Sequence, residues 1–135
     1  MREVTITFTI PEMVKLISCC NQAISSGYTT MCEHGNIHYH TKDFTLKDSM
    51  NYIVGIKKKL KETISNQFAT NHGRYSVTLT LGEFIKLNAC CNSAIDSQKK
   101  TLALISEESE SLINYTESIQ EIEQLKLKIK SNLPA

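Results

Sequence analysis

The stretch VTITFTIPEMVKLISCCNQAISS, residues 4–26, decides the fold because it returns from residue 75 onward as YSVTLTLGEFIKLNACCNSAIDS, residues 75–97. With a shift of 71 positions, Glu12 falls on Glu83, Lys15 on Lys86, Leu16 on Leu87, and Cys19-Cys20-Asn21 on Cys90-Cys91-Asn92. Most other apolar positions exchange one apolar residue for another. A repeat of this quality predicts two copies of one structural unit.

Each copy opens on strict alternation, with Val4, Ile6, Phe8 and Ile10 separated by Thr5, Thr7 and Thr9; this period of two predicts a strand with one buried face and one hydroxyl face. Thr9-Ile-Pro-Glu12 and Thr80-Leu-Gly-Glu83 then place a hydroxyl three residues before a glutamate, the pattern of a capped helix start. Met13, Leu16, Ile17, Cys20, Ala23 and Ile24 follow at helical spacing, as do Phe84, Leu87, Cys91, Ala94 and Ile95. Asn88 replaces Ile17 and predicts a less buried flank.

The copies diverge after Ser26-Gly27. Residues 28–41 carry β-compatible runs on both sides of Gly35-Asn36 and predict a hairpin inserted in the first copy; residues 98–106 predict a helical extension in the second. Homology resumes with a shift of 69: Met50, Ile53, Ile56, Leu60 and Ile64 match Ile119, Ile122, Leu125, Ile129 and Leu133, and Lys57, Lys59 and Lys61 match Lys126, Lys128 and Lys130. Thr45 and Asn114, each with an acid three positions later, are the expected starts of these second helices. One α+β domain is therefore expected across residues 1–135, with a first half at 1–70 and a second at 75–135. Two central antiparallel strands, residues 4–10 and 76–81, would be packed by four helices, because a lone strand has no hydrogen-bonding partner.

Fifteen basic against fourteen acidic residues, a formal charge of +1, give no electrostatic case for general nucleic-acid or membrane binding. No apolar run approaches the ~20 residues of a membrane span. Five cysteines and no visible signal peptide suggest a cytoplasmic protein.

No phosphate loop, nucleophile elbow or HExxH motif is present, and a non-enzymatic role without a cofactor is expected. Cys32, His34, His38 and His40 form the one compact set of metal-ligand types; in a hairpin with a three-residue turn, Cys32, His38 and His40 could share a face and hold zinc. Cys20 and Cys91 are expected as small core residues, since adjacent helical positions diverge by about 100°.

The outward residues Thr5, Thr7, Thr9, Thr78 and Thr80, on a doubled strand-helix-helix order, resemble the ribbon-helix-helix family. That resemblance implies a ribbon inserted in the major groove of DNA, although threonine stands where such ribbons usually carry long hydrogen-bonding side chains. In its T-x-T strand, its lysine, isoleucine, asparagine and serine content and its lack of tryptophan, the chain also resembles small accessory proteins of phages and mobile elements. This second resemblance implies an accessory or inhibitor module, monomeric or homodimeric, that occludes a host or cognate protein such as a defence or nuclease factor. Tyr28, His34, His38, Tyr39 and His40 are the expected contact residues, because a repeated core does not require the segment that holds them.

Overall fold

Residues 2–34, 40–68, 72–104 and 110–134 are described in the computed structural model of the chain, with residues 28–34, 40–46, 110 and 111 described by their backbone alone. Alternation gives the strands as expected. β1 (Glu3–Thr9) and β2 (Arg74–Thr80) bury their even and odd positions respectively, so Ile6, Phe8, Tyr75, Val77 and Leu79 enter the core while the hydroxyl residues face out. The two strands pair antiparallel, with Thr5 opposite Thr78, Thr7 opposite Ser76 and Phe8 opposite Tyr75.

This register has a consequence for the whole chain. Ile6 lies opposite Val77, which is its own counterpart under the 71-residue shift, so a pseudo-two-fold axis passes through that pair. Among the described residues the element order is the same on either side: β1, α1 (Ile10–His34) and α2 (His40–Gln67), then β2, α3 (Leu81–Leu102) and α4 (Glu110–Asn132). Helices α1 and α3 pack on each other, α2 packs on α1, and α4 on α3. The core under the ribbon is one cluster, drawing on Leu16, Ile56 and Leu60 from the first half and on Leu87, Ile122 and Ile129 from the second.

Both helix starts following the strands carry the expected caps. The Thr9 N–H donates to Glu12 Oε1 at 2.8 Å and the Glu12 N–H to Thr9 Oγ1 at 3.3 Å; in the second half the same bonds join Thr80 and Glu83 at 2.9 and 3.1 Å. Each box satisfies two backbone donors that a bare helix end would leave open.

Three expectations need correction. Residues 28–34 continue α1 and residues 40–41 begin α2, so there is no hairpin over the described part of 28–41; residues 35–39 lie outside the described residues. Gly27, after which the copies diverge, lies inside α1 and marks close helix approach: a β-carbon there would come within 2.5 Å of Met50 Sδ. The second helices start before Thr45 and Asn114, at His40 and Glu110. Finally, Asn88 and Ile17 are both half-buried, and the Asn88 Oδ1 is sealed from solvent with no hydrogen-bond partner among the described residues.

Candidate functional site

Side chains link the halves reciprocally. Lys59 of α2 reaches the cap of α3, 2.7 Å from Glu83 Oε2, and its counterpart Lys128 of α4 reaches the cap of α1, 2.9 Å from Glu12 Oε1. Lys86 donates to Ser49 at 2.6 Å, and its counterpart Lys15 donates to Ser118 at 3.2 Å. Every one of these bonds crosses from one half to the other. Burial pushes the Glu83 carboxyl up, but Lys59 and the Thr80 N–H outweigh it, leaving the group below its ordinary value. At Glu12 burial is likewise outweighed, by the Thr9 N–H and Lys128. These contacts hold the helices in register and read as architecture.

The outward face of the ribbon is the candidate nucleic-acid surface. Thr5, Thr7, Thr9 and Thr78 are exposed there and Thr80 is half-buried. Its hydroxyls are largely committed to one another: Thr5 and Thr78 meet at 2.7 Å, Thr7 and Ser76 at 3.3 Å, and Thr9 and Thr80 serve the helix caps. Glu3 and Arg74 occupy opposite ends of the same face and contribute opposite charges. Along the outer edge of β2, the Gln67 amide bonds both the N–H and the C=O of Ser76, at 2.8 and 2.9 Å.

A concave surface lies between α3 and α4. Ile85, Asn88, Asn92, Glu123, Lys126, Leu127, Lys130 and Leu133 line a cleft of about 590 Å³. Ile85 and Leu127 are 56% and 61% exposed and stand on the same cleft. The sequence signal for this site was the appearance of Leu127 where the first half has Lys58. That signal is weak, since one apolar residue in a polar row does not reveal a cleft.

The cysteines depart most from expectation. Cys20 and Cys91 are buried as foreseen, but Cys19 and Cys90 are buried too, and all four lie in the one core cluster where α1 packs on α3. A hydrogen bond from Cys91 holds the Cys19 thiol below its ordinary value against the opposing effect of burial, with Lys15 helping; a hydrogen bond from Cys20 does the same for Cys90, helped by Lys86. The donors Cys20 and Cys91 are pushed up, by those hydrogen bonds and by burial. Adjacent positions do diverge around one helix, but two helices in close contact present a seam wide enough to cover both.

Of the segment expected to carry partner contacts and metal ligands, His38 and Tyr39 lie outside the described residues, as do the side chains of Tyr28, Cys32, His34 and His40. The backbone places Cys32 and His34 in α1 and His40 in α2, which removes the hairpin on which the Cys32–His38–His40 arrangement was built. Among the described residues no group of three or more His, Cys, Asp or Glu is arranged to hold a metal ion. Among them also, no helix is long and apolar enough to cross a membrane.

Comparison with protein-family models, curated proteins and solved structures finds no match to this chain.

Proposed function

We propose that this chain is a non-enzymatic protein-binding module that works by covering a surface of a host or cognate protein, as an accessory or inhibitor. One observation carries the reading: the second half leaves Ile85 and Leu127 exposed across the α3–α4 cleft, with Lys126 and Lys130 beside them. Covering the exposed part of each side chain would gain on the order of 1 kcal/mol, and a mixed apolar and charged concavity is suited to a protein surface. The first half repeats the theme with different residues. Val14, the counterpart of Ile85, is 59% exposed, and Val54, the counterpart of Glu123, is exposed as well. An accessory protein encoded by a phage or mobile element, acting on a defence or nuclease factor, fits a module of this kind.

The test is affinity capture from a host lysate followed by reconstitution with the purified partner. Wild-type protein should retain one stoichiometric protein, and Ile85→Glu with Leu127→Glu should lose it while keeping the native circular dichroism spectrum. Clean elution of the wild type, or capture unaffected by the substitutions, would sink the reading.

A second reading rests on the ribbon. The paired strands with an outward hydroxyl face at Thr5, Thr7, Thr9, Thr78 and Thr80 suit entry into a DNA groove, but no lysine, asparagine or glutamine stands on that face to read base edges. Mobility shifts with mixed duplex DNA at low salt decide it; free DNA at micromolar protein disposes of the ribbon as a reader.

A further inference from the structure

We propose that the free edge of β1 is a docking site for the same edge of a second copy of this chain, so that two ribbons join into one four-stranded antiparallel sheet. The inference does not rest on the partner-binding reading, which uses a different face. It starts from where the backbone groups at the two outer edges of the ribbon find partners. On β2, the N–H and C=O of Ser76 point away from β1 and are taken by the Gln67 side chain, and α2 packs along that strand. Antiparallel pairing alternates residues that bond the facing strand with residues that do not, so Thr7, opposite Ser76, also turns its backbone groups outward, and Thr5 and Glu3 do so at the alternate positions before it. Thr5 is the counterpart of Ser76 under the 71-residue shift. Among the described residues nothing plays the part of Gln67 there, the outward N–H and C=O groups of Glu3, Thr5 and Thr7 have no protein partner, and α4 makes little contact with β1. The edge closes again at Thr9, whose N–H serves Glu12.

Two observations point to a second copy as the strand that fills this edge. The first is that the sequence already pairs with itself: β2 is the repeat of β1, and their antiparallel ladder sets hydroxyl against hydroxyl, Thr5 on Thr78 and Thr7 on Ser76, and apolar against apolar, Ile6 on Val77. The second is that the open set is self-complementary. A two-fold axis through Thr5 sets it against Thr5 of the second copy and sets Glu3 against Thr7 in both directions, so every outward N–H of these residues meets a carbonyl. This register keeps the odd positions on the hydroxyl face and the even ones on the core face. Val4 comes opposite Ile6 of the second copy; it is half-buried in the single chain, whereas its counterpart Tyr75 is 1% exposed, and the added strand covers it. Neither lysine nor proline, which commonly guard an exposed edge, stands among residues 3–9, and the one charge there, Glu3, faces Thr7 and not its own copy. One short strand on each side makes a small interface, so the dimer is weak, half-formed at roughly 10–100 µM chain.

The experiment follows the full chain by size-exclusion chromatography with light scattering from about 1 µM to about 1 mM, a range that spans the expected midpoint. The mass should climb from 15.2 kDa toward twice that value. Over the same range, amide exchange read by NMR on the unaltered protein should slow several-fold at Thr5 and Thr7, whose N–H groups are open in the single chain. Thr5→Pro deletes the central outward N–H and leaves the ladder to β2 intact, as proline on an edge strand can; Thr5→Lys sets like charges against each other on the axis. Each variant should keep the native circular dichroism spectrum and hold the mass at 15.2 kDa throughout. Gln67→Ala, on the opposite edge, should retain the dimer. A chain that stays monomeric to about 1 mM, unchanged exchange at Thr5 and Thr7, a dimer that survives both Thr5 substitutions, or one lost with Gln67→Ala while its spectrum stays native would each overturn the proposal.

Discussion

The two halves agree where they touch and differ where they face solvent. Lys59–Glu83 and Lys128–Glu12, Lys86–Ser49 and Lys15–Ser118, and the two capping boxes recur at matched positions. On the outer surfaces of α2 and α4 the matching is only partial: Lys61 still falls on Lys130, but Tyr52 stands against Glu121, Val54 against Glu123 and Lys58 against Leu127. Contacts that cross the axis constrain two sites at once, whereas a solvent-facing position is free of its counterpart. The lesson is that the interior describes how the molecule closes, and the unmatched exterior is the place to look for what it does.

The comparison can be broken most forcefully in the core. Leu16 and its counterpart Leu87 are both fully buried, so Leu16→Ala and Leu87→Ala should each cost about 2–5 kcal/mol in urea unfolding. Each variant should still unfold in one transition seen alike by circular dichroism and tyrosine fluorescence. Two separated transitions would mean that the halves are stable independently.

The caps sharpen it further. Glu83→Ala and Glu12→Ala each remove a reciprocal hydrogen bond and an ion pair, and each should lower stability by about 1–2 kcal/mol. The larger loss is expected at Glu83, whose side chain is 10% exposed against 28% for Glu12. Both carboxyls sit below their free value of 4.5, so their contribution is fully present above that pH and is lost as pH falls through the lower folded values. Replacing both by glutamine should flatten the acid limb of a stability-versus-pH curve; an unchanged limb would remove them as its cause.

Smaller effects concern positions where the copies differ. Asn88→Ile restores the residue of the first half and removes a sealed carbonyl oxygen that has no partner among the described residues, which should raise stability by about 1 kcal/mol in thermal unfolding. Gly55→Ala, in a helix and facing open space, should gain about 0.5–1 kcal/mol. Gly27→Ala should show no such gain, since its β-carbon meets Met50. Equal gains at the two glycines would refute the close approach of α1 and α2.

Local chemistry made much of the fold legible. The period of two in residues 4–10, the spacing from Thr9 to Glu12 and the matched apolar positions of the second helices each depend on a few neighbouring residues, and each led to the observed element. The errors arose where distant residues decide. Gly27 looks like a terminator until Met50 is placed against it, and Thr29 and Thr30 beyond it suggested a strand although α1 runs on to His34. The thiol seam was missed for a similar reason, because one helix alone cannot reveal that a second lies across it. The lysine rows at 57–61 and 126–130 were visible, but their partners Glu83 and Glu12 lie on the other half and left no local mark. The cleft at Ile85 and Leu127 was still less legible, since it exists through the spacing of two helices.

The link into β2 carries one more implication. His72 has a φ of 49° and Gly73 a φ of 84°, so the chain turns there through left-handed backbone that costs a non-glycine residue about 1–2 kcal/mol. Straightening that turn relieves His72 and separates the halves, and every bond across the axis can then be remade with a second chain. Exchange of that kind would depend on concentration, and a single monomeric peak in size-exclusion chromatography at rising protein concentration would exclude it.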